Sequence, residues 1–222
     1  MKMNRSTRRI RISLLTGLAM IALSQAALAE EDAGVVIPPF TDKYSEGVRR
    51  LEAGDTNLDY REFRNEFLES KQFEKAAGAD LDSLRKAMRD LIRKSRTADV
   101  ILVAKRILSI DYTDMEAHKV LRQAYGISGD TLNQKKHHDI EFGLLNSIVK
   151  NGDGETCRTA WPVVQVTEEY FILDMIGARV LKQSIDASGP CDRMEVEADG
   201  AKKVFYFNVA KVFEGYHKQG IP

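Results

Sequence analysis

Cysteine and excess positive charge are what this sequence has least of. Only Cys157 and Cys191 occur in 222 residues, and no Cys-x-x-Cys pair is present. There is also no phosphate-cradling glycine loop, no nucleophile elbow and no His-Glu-x-x-His helix, so the common redox, nucleotide, acyl-transfer and zinc-protease signatures are excluded. The longest apolar run, Leu14 to Leu23, falls short of the roughly 20 residues a membrane span needs. Basic and acidic residues balance at 33 each. A nucleic-acid partner or an anionic membrane surface wants a basic excess, and none is offered.

What is there begins with an address. Lys2, Arg5, Arg8, Arg9 and Arg11 precede the apolar run, and Ala27-Leu28-Ala29 offers small residues before the acidic Glu30-Glu31-Asp32. This is the order of parts of a secretory signal peptide, residues 1–29, cleaved after Ala29. No Cys follows the run, which argues against a lipid anchor there. Cleavage removes five basic residues and no acid, leaving 28 basic against 33 acidic residues and a net charge of −5. The expected location is outside the cytoplasm, periplasmic or secreted, with no membrane span after cleavage. There an isolated cysteine pair reads most simply as a Cys157–Cys191 disulfide, worth about 3–4 kcal/mol on the chain-entropy model. Two unpaired thiols are the alternative.

Residues 30–40 form an extended spacer held by Pro38-Pro39. Residues 41–150 read as helices. Thr41 is placed to cap the first, which Gly54-Asp55 ends, and Tyr60, Phe63 and Phe67 form a core stripe on the second. After the small-residue joint Ala76-Ala77-Gly78-Ala79 come a helix to about Lys94 and another from Ala98 to Ser109, capped by Thr97. Asp114 to Lys150 then reads as a helical hairpin turning at Ser128-Gly129-Asp130. The two pairs overlay at an offset of 34 residues, the tetratricopeptide period, with Leu91 on Tyr125 and Thr97 on Thr131. Such pairs bury their faces on neighbours or on a cap.

Residues 151–222 change texture. Asn151-Gly152-Asp153-Gly154 resembles the opening of a calcium loop, but the remaining ligand positions are missing and a tight turn is expected. Strands are expected over 161–166, 178–186, 191–198 and 201–208, the last two joined by the hairpin signal Asp199-Gly200. A short helix, with a strand as the rival, covers 170–176, and a terminal helix covers 211–218. The fold class is therefore α+β: tetratricopeptide-like helical hairpins packed on a small antiparallel sheet of about four strands.

Several residues together resemble a bacterial domain-of-unknown-function family of the DUF4919 type. They include Gly54-Asp55, Asp59-Tyr60, Arg64, Ser70, Ala117-His118, Gly129-Asp130, His137, Gly143-Leu144-Leu145 and Gly152-Asp153-Gly154. Thr159-Ala160, Glu168-Glu169-Tyr170 and Tyr206-Phe207-Asn208 complete the pattern, which spans residues 38–215. The resemblance supports the domain plan and implies no activity.

The titratable residues that could form a site are few. His118 lies opposite His137 and His138 across the hairpin, with Glu141 one turn on. Two imidazoles and a carboxylate suit a metal, but a buried histidine bonded to backbone fits the same pattern, and no metal or cofactor is assigned. Arg64 suits either a structural carboxylate partner or a ligand clamp. Arg64, His118, His137 and Glu169 make up the candidate pocket; no catalytic residue is named. The first expectation is a non-enzymatic module of the cell envelope that binds a protein or peptide. The alternative is a small ligand-binding protein or enzyme with a pocket between helices and sheet.

Overall fold

The computed structural model describes residues 34–220. The expected leader with its cleavage point at Ala29, and the start of the spacer, lie outside the described residues. Helices α1 (Lys43–Glu52), α2 (Tyr60–Leu68), α3 (Lys71–Ala76), α4 (Leu81–Arg93), α5 (Thr97–Leu108), α6 (Met115–Ser128) and α7 (Thr131–Val149) come first. Strand β1 (Trp161–Pro162), helix α8 (Val166–Met175), strands β2 (Arg179–Asp186), β3 (Cys191–Ala198) and β4 (Ala201–Asn208), and helix α9 (Ala210–Lys218) follow. The class is α+β.

Acidic caps set most helix starts. Asp42, Asp59, Asp80, Asp114 and Asp130 each accept a first-turn N–H, satisfying donors that a helix leaves open. Two expected caps move. Asp42, not Thr41, caps α1, and Thr97 lies inside α5, whose preceding Arg96 gives no side-chain cap bond. Helix α3 was not expected. Ser70 opens it by accepting from Phe73 N–H, and this swings Phe73 edge-on to Phe67 at 5.3 Å between ring centres. Tyr44, Phe63 and Phe67 stack beside that contact, and Gly47 leaves room for the Phe63 ring.

Helices α4 with α5, and α6 with α7, form two consecutive hairpins. The second turns at Gly129, where φ is +80°, a conformation glycine adopts without strain. The face of α7 at Gly143 lies against the Tyr60 ring of α2, a closeness that leaves no space for a Cβ.

The sheet order is β1-β4-β3-β2. The expectation of a purely antiparallel sheet is corrected: β2-β3 and β3-β4 are antiparallel, but β1 runs parallel to β4. The Cys157–Cys191 disulfide ties the segment before β1 to the start of β3, beside the end of β4. The chain thus enters alongside β4, running the same way. Pro162, lacking an N–H, cuts the strand to two residues, and residues 163–166 leave for α8 instead of extending it. The piece at 170–176 is helical, and Gly177 ends it at φ +66°. Asp199 and Gly200, at φ +54° and +72°, form the hairpin turn their sequence announces.

Residues 34–222 cluster as one compact unit. Its apolar core runs without a break from Tyr44 and Phe63 through Ile107, Leu121 and Ile148 to Phe171, Met194 and Phe207. No helix among the described residues is long and apolar enough to cross a membrane.

Candidate functional site

The first helix of each hairpin and the helix of the C-terminal part meet around an open cleft of about 690 Å³. Helix α4 contributes Asp82, Arg85, Arg89 and Ile92; α6 contributes Met115, Glu116, Lys119 and Gln123; α8 contributes Tyr170 and Phe171. Asp82 and Glu116, Arg85 and Lys119, and Arg89 and Gln123 are pairs spaced by 34 residues, and all six line the cleft. Equivalent positions of the two hairpins therefore face the same space. Ile92 and Tyr170 are 43% and 45% exposed, so the floor is apolar and open to solvent.

The charges around it are already paired. Arg85 holds Asp114 at 2.7 Å, while the other oxygen of Asp114 caps α6. Arg89 meets Glu116 at 3.0 Å, and Lys119 meets Asp174 at 2.7 Å while lying 5.6 Å from the centre of the Phe171 ring. An apolar floor rimmed by satisfied ion pairs suits recognition better than proton transfer, which needs an acid or base free to act.

Arg64 and Glu168 lie at the seam between helices and sheet, both almost fully buried. Arg64 Nε and Nη2 donate to the two oxygens of Glu168 at 2.7 and 2.6 Å, and the guanidinium also reaches Ser147 Oγ and the Pro162 carbonyl. Glu168 Oε2 accepts a further bond from Val164 N–H at 2.8 Å. Every strong donor and acceptor of the pair is thus occupied inside the protein. The clamp joins α2, α7, β1 and α8, and Arg64 turns to Glu168 and not to Glu169.

Glu169, one residue on, faces the sheet. It is fully buried and shares a hydrogen bond with Asp192 of β3. Burial, then the neighbouring charge of Asp192, pushes its carboxyl up to about 9. Glu169 Oε1 and Asp192 Oδ1 have no donor.

His118 and His137 touch, Nδ1 to Nδ1 at 2.9 Å, in the interface of α6 and α7. His118 Nε2 lies 2.9 Å from the Tyr112 carbonyl, so that nitrogen carries the proton and donates it. His118 Nδ1 is then an acceptor and His137 Nδ1 the donor. Burial holds both rings neutral, His118 down at about 4 and His137 down at about 2, the latter also opposed by His118 itself. Glu141 does not join them: it takes Arg122 Nε at 2.6 Å. His138 points to solvent beside Asp139. Among the described residues no group of three or more His, Cys, Asp or Glu side chains could hold a metal ion. The Gly152–Gly154 loop is a turn in which Asp153 accepts from Glu155 N–H and Thr159 Oγ1.

Of the four candidate-pocket residues, His118 pairs with His137, Arg64 with Glu168, and Glu169 with Asp192. Sequence reasoning missed Glu168, Asp192 and the cleft residues. Asp192 carried a usable signal: it alternates with Met194, Val196 and Ala198 on the inward face of β3, where an acid is out of place. The cleft carried one too, because cationic positions 34 residues apart share one helix face.

Comparison with known proteins is narrow. Neither a search of curated proteins nor one of solved structures returned a match. A family model described as a domain of unknown function (DUF4919) matches residues 41–218, nearly every described residue from α1 to α9, and the chain belongs to that family.

Proposed function

We propose that the chain is an exported, non-enzymatic module of the cell envelope that binds a protein or peptide segment in the cleft between α4, α6 and α8. On this reading the two hairpins act as tetratricopeptide-like repeats, and α8 closes one wall of their groove. One observation carries it: positions 34 residues apart on the first helix of each pair line the same apolar cleft, as a stacked repeat places them. The cleft is large enough for several side chains. Export is supported by the basic-apolar-small order of residues 1–29 and by the Cys157–Cys191 disulfide, a bond that persists in oxidising compartments.

The test places a photo-crosslinking residue at Gln123, inside the cleft, or at Lys202, on an exposed strand of the sheet. Illumination of intact cells is expected to give a discrete adduct from position 123 and none from 202, and Ile92→Glu is expected to abolish it. Equal adducts from both positions, or none from 123, would overturn the proposal.

A further inference from the structure

The acid pair of Glu169 and Asp192 is used by neither the core nor the cleft. Asp192 lies on the inner face of β3, in the same alternation as Met194, and Glu169 comes down on it from α8. The two unbonded oxygens, Glu169 Oε1 and Asp192 Oδ1, belong one to each member. A buried acceptor without a donor costs about 1–3 kcal/mol, more when charged. Two such acceptors on neighbouring acids call for a positive charge between them, either a shared proton or a cation.

One side chain separates this pair from solvent. The exposed Gln183 of β2 donates its amide to Asp192 Oδ2 and, at 3.5 Å, to Glu169 Oε2, and accepts from Tyr170 Oη at 2.7 Å. Tyr170, Gln183 and Tyr216 thus form a rim that is itself partly open to water, Tyr216 being 36% exposed. Tyr216, on α9, is near enough that burial and then the charges of Glu169 and Asp192 raise its hydroxyl. Tyr170 belongs to the rim of this site and to the lining of the cleft, so the two are neighbours.

We propose that Glu169 and Asp192 form a receptor for an organic cation, an alkylguanidinium or alkylammonium group such as the Arg or Lys side chain of a segment lying in the cleft. The cation is admitted when Gln183 turns outward, and it takes the place of the proton the acids otherwise share. Its charge answers the two orphan oxygens, and the tyrosine rings at the rim favour an organic cation over a bare ion. The pair offers only two carboxylates and no third His, Cys, Asp or Glu, a poor set for a metal. The charged groups facing the pair are Glu168, already held by Arg64, and the two tyrosines. The inference rests on the cleft reading only for the direction from which the cation arrives.

Because one proton leaves as one cation binds, affinity must rise with pH. The mature chain is titrated calorimetrically with n-butylguanidinium, n-butylamine and the neutral n-butylurea at several pH values, in buffers of different ionisation enthalpy. Expected are one-to-one binding of a cation but not of the urea, release of about one proton, and an affinity gain approaching tenfold per pH unit below pH 9. Glu169→Gln and Asp192→Asn are each expected to lose at least tenfold, whereas Gln183→Ala, which removes only the cover, keeps or tightens binding. Binding of the urea equal to that of the cations, binding without proton release, or no binding by the wild-type chain would overturn the proposal; the wild-type measurements need no variant to fold. The crosslinking result at Gln123 is independent of this titration, so failure of the cleft and failure of the cation site are distinguishable.

Discussion

Arg64 and Glu168 place two full charges beyond the reach of water, and such a pair is tolerated only because each polar atom is bonded. Removing one partner leaves the other buried and bare. Arg64→Met is therefore expected to cost about 3–5 kcal/mol in denaturant unfolding, and adding Glu168→Leu to restore much of it. A single-variant cost below about 1 kcal/mol would mean the pair is not sealed from solvent. Two other buried sites set the pH dependence. Glu169, raised from 4.5 to about 9, contributes stability that is complete below 4.5 and is lost as pH rises through about 9. His118 and His137 are lowered from 6.5, so their contribution is complete above 6.5 and is lost as pH falls through about 4, further for His137. Unfolding followed across pH is expected to show a shallower alkaline slope in Glu169→Gln and a shallower acid slope in His137→Gln; unchanged slopes would contradict these assignments. At this scale the sequence was partly legible. Arg64 among aromatics announced a carboxylate partner, but Glu168 is 104 residues away, and no local pattern names a partner at that distance.

Elements were easier to read where they are amphipathic and capped. The α6–α7 hairpin, the β3–β4 hairpin and α9 follow from apolar period, the Gly129 turn and the Asp199-Gly200 turn. Helix α3 escaped because six residues are too few to show a period, and β1 was overcalled because an apolar run bounded by a proline does not say where pairing stops. The aromatic stripe of α2 predicts that Phe63→Ala costs about 3–5 kcal/mol, as large-to-small core changes do; Phe63 is 2% exposed and stacked on Tyr44 at 5.2 Å between ring centres. A loss under about 1 kcal/mol would contradict that packing. Replacing both cysteines by serine is expected to cost about 3–4 kcal/mol, because the bond closes a separation of 34 residues. Two titratable thiols in non-reducing denaturant would contradict the bond itself.

At the scale of the whole molecule, helices and sheet share one apolar core, and the Arg64–Glu168 clamp crosses their seam. The composition shift near residue 150 marks a change of secondary structure within the compact unit that runs from residue 34. The α+β class was legible from alternating against helical patterning; the cleft was not, because it exists only once α8 packs beside α4 and α6. That placement is the central claim, since it turns two helical hairpins into a groove with a floor. The most direct measurement takes a peptide selected for binding to the mature chain and follows its titration by backbone amide chemical shifts. The account predicts the largest shifts at Ile92, Gln123 and Phe171, fading in the Ile92→Glu chain. Shifts confined to α1 and α2, or to the outer strands, would contradict it.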